Sequence, residues 1–411
     1  MKQKVYIFNG TSRAAVYGIG TYVEQLIGSL KTADIDLEVV LLHSEGWEVS
    51  VVEKDGYRQI SIPAVQFPTP KSSQYYTRNV AYLLKDLIPD DKNMQYIFHL
   101  NFMTNPTFVS ILKKMFKCKI ITTVHYTNWS FSLLGNQKLL QSIVSRNKTK
   151  PDNFEKQIRK DLRADKRMLE KSDRFICVAQ HTLDSFKSIS NLDITNGILI
   201  NNALKDVYKR ISPEQKSVIR NKYLISDQDQ VIIFAGRLDE VKGISFLIDA
   251  FKKIVKTNPN SRLLIAGDGN FNKWLSIAKN NWTKISFTGR LSKRQLYELY
   301  CIADVGVVCS LHEEFGYVAI EMMMHEIPLV VTDTGGLSEI VKDGVCGLKV
   351  PVRNRKDRRI INVNTMADKV KILLDNPDFA NELGNNARKR FLEKYELDRF
   401  KEEMLNLYLN I

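Results

Sequence analysis

Short apolar runs alternate with longer amphipathic stretches along the first half of the chain. The runs that we predict to be buried parallel strands are Val5–Phe8, Leu37–Leu42, Tyr96–Leu100, Ile120–Val124, Phe175–Val178 and Ile198–Ile200. The stretches that we predict to be helices between them include Tyr22–Leu30, Thr107–Met115 and Gln157–Lys171. This alternation predicts an open α/β sheet with helices on both faces.

The same alternation starts again after a polar segment with the turn signal Ser212-Pro213. The strands predicted there are Val231–Phe234, Arg262–Ala266, Ile285–Thr288, Val305–Cys309 and Leu329–Thr332. The helices predicted there are Ser245–Lys256, Phe271–Lys279, Lys293–Ile302 and Tyr317–His325. Because 411 residues are long for one core, we predict two doubly wound Rossmann-like domains facing a central cleft. Residues 1–205 form the first domain, 206–374 the second, and 375–411 are helices expected to pack back on the first.

Composition restricts where such a chain works and what it binds. The apolar run at the N-terminus is too short for a signal peptide, and no run is long enough to span a bilayer, so we expect a cytoplasmic protein. Its net charge of +14 attracts nucleotide phosphates or the inner face of an anionic membrane. Basic residues are densest between Lys138 and Arg174, where interleaved acids favour a solvated helix face over peripheral membrane or acceptor docking. No motif for reading nucleic acid is present, so no nucleic-acid partner is expected.

The strongest local signal follows the predicted strand Val305–Cys309. It is the segment His312–Tyr317, of sequence HEEFGY, with a second acid at Glu321. Gly316 permits close backbone approach, and the amides after it open a helix, which is a site that holds phosphate. Glu313 and Glu321 are placed to accept hydrogen bonds from sugar and ribose hydroxyls.

Two further signals follow strands in the second half. A strand ends at Gly236-Arg237, and Lys242 follows five residues later before Gly243. Fixed Arg and Lys side chains neutralise the charge of a departing diphosphate without a metal. Gly267, in the tight turn Ala266–Gly269 after another strand, is a weaker candidate for binding the donor.

Candidates in the first half are less specific. Gly18 and Gly20 precede the predicted helix Tyr22–Leu30, where a glycine backbone can approach a diphosphate. His125 ends a predicted strand, at the edge where open sheets bind ligands, and His99 is a weaker candidate of the same kind.

No metal site is predicted. The Asp-x-Asp pairs at Asp34–Asp36 and Asp227–Asp229 come before strands, at the wrong end of a sheet for a ligand, and indicate solvated turns.

In their order along the chain these segments resemble glycosyltransferase family 4, a large family of retaining enzymes with the GT-B fold. The resemblance rests on Gly236–Gly243, on Glu313 and Glu321 eight residues apart, and on Gly335–Val341. Thr288–Leu291 is similar to the segment that lies beside the nucleotide base. The chain departs from the pattern at Asn201-Asn202, Met322–Met324 and His325-Glu326, none of which removes a proposed ligand.

The resemblance implies a role for each candidate. Glu313 would hold the donor sugar, Glu321 the ribose, and Arg237 and Lys242 the diphosphate. His125 would contact the donor sugar near the reacting carbon. The catalytic candidates are therefore His125, Arg237, Lys242 and Glu313. The donor-binding candidates are Gly18, Gly20, Gly236, Gly267, Arg290, Leu291, Phe315, Gly316, Tyr317 and Glu321.

The expected reaction moves a hexose-type sugar from a nucleotide diphosphate sugar, with UDP the first choice, to an acceptor hydroxyl. The resemblance implies retention of anomeric configuration through front-face attack, and no cofactor. The acceptor is open between a saccharide, a lipid-linked glycan, a natural product and a peptide. Two alternatives remain: a sugar-nucleotide epimerase of similar build, and a non-catalytic nucleotide-sugar-binding protein.

Overall fold

The computed structural model describes residues 2–10, 18–33, 35–65, 69–101, 105–145, 151–190, 195–355 and 358–411. The chain divides into two compact units. The first unit comprises Met1–Ala203 together with Leu397–Ile411, and the second comprises Leu204–Glu396. No helix in the described ranges is both long and apolar enough to cross a bilayer.

An eight-stranded sheet in the order β3-β4-β2-β1-β5-β6-β7-β8 forms the centre of the first unit. All neighbours pair in parallel except the antiparallel pair of β3 and β4. The strands are β1 (Lys2–Gly10), β2 (Asp36–Ser44), β3 (Ser50–Lys54), β4 (Tyr57–Pro63), β5 (Met94–Leu100), β6 (Cys118–Val124), β7 (Arg174–Cys177) and β8 (Gly197–Leu199). Buried side chains of β1 and β5, such as Phe8 and Phe98, form a core with buried residues of the helices Pro70–Leu87 and Pro106–Met115.

The helices of the first unit connect these strands and cover the sheet. They are α1 (Gly18–Lys31), α2 (Pro70–Leu87), α3 (Pro106–Met115), α4 (Asn128–Ser132), α5 (Gln137–Ser145), α6 (Asn153–Lys171) and α7 (Gln180–Ser190). Several begin at a side-chain cap: Asp152 accepts from the Glu155 amide at 2.8 Å, and Asn105 accepts from the Phe108 amide at 3.0 Å.

The second unit has a seven-stranded sheet in the order β11-β10-β9-β12-β13-β14-β15. Its strands are β9 (Gln230–Ala235), β10 (Ser261–Ala266), β11 (Ile285–Gly289), β12 (Val305–Val308), β13 (Leu329–Asp333), β14 (Leu348–Arg355) and β15 (Arg358–Ile361). Its helices are α8 (Pro213–Lys222), α9 (Ile244–Thr257), α10 (Phe271–Ala278), α11 (Lys293–Ile302), α12 (Tyr317–Met324), α13 (Gly335–Ile340), α14 (Val363–Asp375) and α15 (Pro377–Lys394). The last helix, α16 (Leu397–Leu409), belongs to the first unit.

The predicted α/β class with two parallel-dominated sheets is confirmed, and each predicted strand lies in or overlaps a strand of the sheets. Four strands were not predicted from the sequence patterns: β3, β4, β14 and β15. β3 and β15 are edge strands, and β4 and β14 are the strands next to them. Exposed faces at these ends of the sheets remove the continuous apolar run; all five residues of β3 are exposed. The tail also differs, because only α16 packs in the first unit, whereas α15 lies in the second.

Candidate functional site

The strand order of the second unit reverses direction between β9 and β12. From β9 the chain continues outward through β10 and β11, and from β12 it continues outward on the other side through β13 and β14. In open α/β sheets ligands bind outside the carboxyl ends of the strands at such a reversal. A ligand site is therefore expected at the segments that follow β9 and β12.

Two glycines shape the turns after β9 and β10. Gly236 has φ +142° and Gly267 has φ +154°, values that L side chains rarely adopt. A Cβ on Gly267 would lie 1.8 Å from the Gly236 carbonyl oxygen, so a side chain there would collide with backbone. The Gly236 amide donates to the Ala266 carbonyl at 2.9 Å, which holds the two turns together.

The segments that follow β9 and β12 contact each other through their backbones. The Leu311 amide donates to the Val241 carbonyl at 2.7 Å, and the Cys309 thiol donates to the Lys242 carbonyl at 3.2 Å. Gly243 has φ +70°, and a Cβ there would lie 2.0 Å from the Cys309 carbonyl oxygen. This close approach fixes Lys242 beside the segment that carries Glu313.

Lys242 and Glu313 form an ion pair at this junction. Lys242 Nζ lies 2.6 Å from Glu313 Oε2, and the Ser310 hydroxyl donates to the same oxygen at 2.9 Å. Burial alone would raise the pKa of the Glu313 carboxyl, but the Lys242 ammonium and the Ser310 hydroxyl outweigh burial and hold that pKa below its usual value. Glu313 is therefore an anionic acceptor, and the Lys242 ammonium has further N–H donors to offer a ligand.

Arg237 follows β9 directly and is paired within its own turn. Its Nε lies 3.2 Å from Asp239 Oδ2, and the side chain remains partly exposed. The structure thus brings Lys242 and Glu313 together and holds Arg237 on the adjoining turn. It stays a prediction that one ligand contacts all four of the predicted cations and acids: Arg237, Lys242, Glu313 and Glu321.

Helix α12 begins immediately after the segment that carries Glu313. Gly316 is its N-cap, with φ +120° and ψ +56°, and a Cβ there would press on Leu337 and Ile340. The Phe315 side chain is buried and contacts the rings of Tyr317 and Tyr395 at centroid distances of 5.5 and 6.0 Å. The Phe315 ring therefore anchors the start of the helix.

Glu321 lies one turn into α12 and its side chain is almost completely buried. It contacts the ammonium of Lys293, and the Tyr300 hydroxyl donates to it at 3.4 Å. His325 donates through Nδ1–H to the Glu321 carbonyl oxygen, 2.7 Å away. Burial lowers the pKa of His325 to about 4, so this imidazole is neutral near pH 7.

Arg290 and Leu291 connect β11 to α11. Gly289 ends the strand with φ +71°, and Ser292 begins the helix with a capping box to Gln295. This cap places Lys293 in the first turn, next to Glu321. The segment predicted to lie beside a nucleotide base, Thr288–Leu291, is thus followed closely by Lys293. Lys293 in turn contacts Glu321, the residue predicted to bind the ribose.

In the first unit, His125 lies directly after β6, as predicted. Its Nε2 is 3.0 Å from Asn101 Oδ1, and its ring packs edge-on against Tyr22 at 4.6 Å. Burial lowers the pKa of His125 to about 3, which makes the ring neutral at physiological pH. His99 is fully buried between Tyr408 and Thr123, which identifies it as a core residue.

Gly18 and Gly20 differ from their predicted setting. The helix was expected to begin at Tyr22 with the glycines in a preceding loop, but α1 begins at Gly18. Both glycines therefore lie in its first turn. The residues just before them, 11–17, lie outside the described ranges.

Sequence reasoning missed Ser310 and Lys293, which contact the two predicted acids. Ser310 follows the end of β12, a position that signals a ligand edge, whereas nothing in the spacing of Lys293 pointed to Glu321. The described residues contain no group of three or more His, Cys, Asp or Glu side chains arranged to hold a metal ion. Asp229 instead accepts from the Ser226 amide at 3.0 Å, and Asp34 lies outside the described ranges.

Two family models match successive parts of the chain. Residues 16–198 match the model described as Glycosyltransferase Family 4, and residues 215–390 match Glycosyl transferases group 1. An uncharacterised glycosyltransferase from Methanocaldococcus jannaschii is 34% identical over 217 residues, 50% of this chain and 53% of that protein. The lipopolysaccharide 1,2-N-acetylglucosaminetransferase of Salmonella typhimurium is 29% identical over 227 residues, 51% of this chain and 56% of that protein. The chain thus spans about half the length of these curated relatives.

Solved structures are similar over almost the whole chain. Sucrose-phosphate synthase from Thermosynechococcus elongatus aligns with a TM-score of 0.78 at 20% identity, covering 99% of this chain and 98% of that one. HepE from Anabaena, solved in complex with UDP-glucose, aligns with a TM-score of 0.70 at 16% identity, covering 99% and 100%. At these identities the likeness shows the fold. The chain therefore matches two glycosyltransferase family models in succession, and its fold is the GT-B fold of the solved structures to which it is similar.

Proposed function

We propose that the chain is a retaining glycosyltransferase that moves a hexose-type sugar from UDP to an acceptor hydroxyl. The observation that carries the proposal is the Lys242–Glu313 ion pair, which lies at the carboxyl ends of β9 and β12 where the strand order reverses. A nucleotide diphosphate sugar presents both anionic oxygens and neutral hydroxyls. A fixed ammonium beside a fixed carboxylate matches both kinds of group.

Each residue has a distinct role in the proposed reaction. Lys242 and Arg237 bind the diphosphate, whose negative charge grows as the bond from the anomeric carbon to the phosphate oxygen breaks. Glu313 accepts hydrogen bonds from the sugar hydroxyls, and Glu321 accepts them from the ribose. The amides that open α12 after Gly316 add partial positive charge near the phosphates.

The bond changes balance without a protein nucleophile. The acceptor oxygen forms a bond to the anomeric carbon on the face that the phosphate leaves, and the departing phosphate oxygen takes the acceptor proton. His125, which is neutral near pH 7, contacts the donor sugar in this proposal. Retention, a hexose-type donor and independence from metal ions are parts of the proposal.

Relatives support a nucleotide-sugar donor and a saccharide acceptor. HepE was solved with UDP-glucose, and the Salmonella relative is named for transfer of N-acetylglucosamine to lipopolysaccharide. UDP is therefore the first donor base to test. The acceptor class is left to be identified among saccharides, lipid-linked glycans, natural products and peptides.

The test measures nucleotide binding and product formation with the same variants. Wild-type protein is screened by thermal shift against UDP, GDP, ADP and their sugars, and products with candidate acceptors are identified by mass spectrometry. Lys242→Ala and Glu313→Ala are compared with Lys253→Ala, which removes an exposed lysine of α9 in the same unit. We expect kcat/KM to fall about 100-fold in the first two variants and to stay unchanged in the third.

The remaining outcomes separate the alternatives. Conversion of the nucleotide sugar without any acceptor indicates an epimerase, and tight binding without turnover indicates a non-catalytic protein. Anomeric coupling constants in the product's NMR spectrum decide between retention and inversion. Turnover that survives a chelator supports independence from metal ions, whereas full activity in both Lys242→Ala and Glu313→Ala rules out this site.

A further inference from the structure

Helix α6 carries a row of cations along one side. Its exposed basic residues at spacings of three or four are Lys156, Lys160, Arg163, Arg167 and Lys171. At 3.6 residues per turn these five positions fall within an arc of about 80° and extend about 22 Å along the helix. The only other position within that arc is Asn153 at the start of the helix, so no acid interrupts the row.

The acids of α6 lie elsewhere on the helix. Of its four acidic side chains, Glu155 and Asp165 are buried, and Asp161 accepts from Gln157 at 2.7 Å on the flank. Glu170, next to the row, is paired with Lys166 at 3.7 Å. Mixed charge in the sequence favoured an ordinary solvated face, but in the helix no acid lies within the basic row itself. By contrast, the exposed charged residues of α15 include acids and bases together: Asp378, Glu382, Lys389 and Glu393.

The basic surface continues onto α3, which packs beside α6. The Lys171 ammonium donates to the Ser110 hydroxyl of α3 at 2.5 Å, which joins the two helices at their outer faces. Lys114 and Lys117 are exposed at the end of α3. Cations therefore cover two adjacent helices in the same layer of the first unit.

Helix α2, on the other side of α3, adds aromatic side chains to this layer. Its exposed positions at spacings of three or four are Lys71, Tyr75, Arg78, Tyr82 and Lys85. The Tyr75 and Tyr82 side chains are 53% and 61% exposed, and the Arg78 guanidinium lies 5.1 Å from the centre of the Tyr75 ring. Alternating Tyr and Lys or Arg is typical of helices that lie in a membrane interface, because each has an apolar body and a polar end.

We propose that the outer surface of α2, α3 and α6 docks the protein onto an anionic lipid bilayer. We call this surface the basic helix layer. It is distinct from the Lys242–Glu313 site, and the proposal goes beyond the transfer reaction and does not require it. Cations of α6 and α3 meet the lipid phosphates, while the tyrosines of α2 lie at headgroup level.

Shape and composition favour a bilayer over a single polyanionic chain. The cations stand on the exposed sides of neighbouring helices, and exposed tyrosines accompany them. A planar anionic surface contacts several ridges at once and accepts tyrosine rings. A soluble polyanion uses the cations alone and gains nothing from the α2 tyrosines.

The experiment is co-sedimentation of the full chain with vesicles of phosphatidylcholine alone or mixed with phosphatidylglycerol, at low and high salt. Soluble polyphosphate is tested in parallel as a competitor. We expect binding only to the vesicles that contain phosphatidylglycerol, and weakening with salt because surface charges are screened. Binding to polyphosphate without binding to vesicles, or equal binding to both vesicle types, overturns the proposal.

Two variants that change the net charge by the same amount test whether the basic helix layer is the surface that binds the membrane. Lys160→Glu/Arg163→Glu/Arg167→Glu reverses the centre of the α6 row, and Lys253→Glu/Lys256→Glu/Lys389→Glu reverses three exposed lysines of the second unit. We expect about 100-fold weaker vesicle binding for the first and little change for the second. Equal losses show an effect of net charge alone and refute docking through this layer.

Two further variants test the tyrosines and separate this inference from the proposed function. Tyr75→Ser/Tyr82→Ser keeps every charge, so weaker vesicle binding with unchanged affinity for polyphosphate supports insertion at the interface, and unchanged vesicle binding refutes a role for α2. Circular dichroism verifies folding of each variant. Glu313→Ala is expected to bind vesicles like wild type, and the α6 variant is expected to keep its thermal shift with UDP.

Discussion

Asp165 is a buried acid on α6 in the first unit. Its side chain is inaccessible to solvent, and its Oδ2 accepts from Trp129 Nε1 at 3.0 Å. Burial raises the pKa of this carboxyl to about 7, against the opposing effect of the Trp129 hydrogen bond. Trp129 lies in the first turn of α4, a few residues after His125, so this bond ties the segment beyond His125 to α6.

Replacing Asp165 by Asn removes this titration and keeps an acceptor oxygen for Trp129. A carboxyl whose folded pKa exceeds its unfolded value of 3.8 stabilises the fold below pH 3.8, and that stabilisation is lost as pH rises towards 7. Asp165→Asn should therefore gain stability relative to wild type between pH 4 and pH 7, by about 2–4 kcal/mol. Denaturant unfolding of both proteins across this pH range measures the difference. A constant difference at all pH values contradicts the assignment.

At this scale the sequence predicts residues that a motif holds close together and misses those that only folding brings close. Glu313 was predicted from its spacing to Glu321, and Lys242 from the turn after a strand. Lys293 reaches Glu321 because the Ser292 cap sets the first turn of α11, a geometry that spacing along the chain does not encode. Phe315 was predicted as a ligand, but a motif cannot show that its ring is buried against Tyr395.

Among the elements, the turns after the strands of the second unit depend most on glycine. Gly267 follows β10 and Gly289 ends the neighbouring strand β11, and both have positive φ, yet their surroundings differ. A Cβ on Gly267 would overlap the Gly236 carbonyl, whereas a Cβ on Gly289 meets nothing within 4 Å. Substituting each of these two glycines in turn therefore separates the energetic cost of backbone strain from the cost of a steric collision.

Gly267→Ala should destabilise the protein by about 3 kcal/mol or more, because strain and collision add. Gly289→Ala should cost about 1–2 kcal/mol, from the left-handed conformation alone. Denaturant unfolding gives both values, and the thermal shift with UDP is expected to shrink more for Gly267→Ala because its turn adjoins Gly236 and Arg237. Equal destabilisation by the two substitutions contradicts the close approach of the two turns.

Elements were predictable from sequence where both faces of a strand are buried. β9 and β12 have almost entirely buried side chains and read as apolar runs. β4 has only alternate residues buried and pairs with the fully exposed β3, so neither gave a run. Edge strands are defined by the partners they lack on one side, which is a property of the sheet and not of the segment.

At the scale of the whole molecule, the first unit is built from two separate parts of the chain. Helix α16 lies at the far end of the sequence yet contributes to its core: the Phe400 ring packs against Tyr22 at 5.6 Å. The Tyr408 hydroxyl is 2.5 Å from His99 Nδ1, and Gln3 donates to the Tyr408 carbonyl at 2.9 Å. Helical periodicity predicts that α16 exists, but only these long-range contacts decide which unit receives it.

Truncation after Glu396 should therefore destabilise the first unit selectively. It removes the buried side chains of Phe400, Met404 and Tyr408, each of which is worth about 2–5 kcal/mol in a core. Such a sum exceeds the stability of most domains, so we expect the first unit to lose cooperative folding. The second unit, Leu204–Glu396, keeps every residue of its core. Hydrogen exchange read by mass spectrometry should show lost protection in β1, β5 and β6 and native protection in β9 and β12.

The matched control for this truncation is Tyr408→Phe in the full-length chain. That variant loses only the hydroxyl contact with His99 and keeps the ring, so we expect a cost of about 1 kcal/mol and native exchange throughout. A truncated protein with full protection in β1 and β5 would mean that α16 is dispensable to the first core. Equal loss of protection in β9 and β12 would mean that the two units fold as one cooperative structure, and the contacts of α16 would then stabilise both.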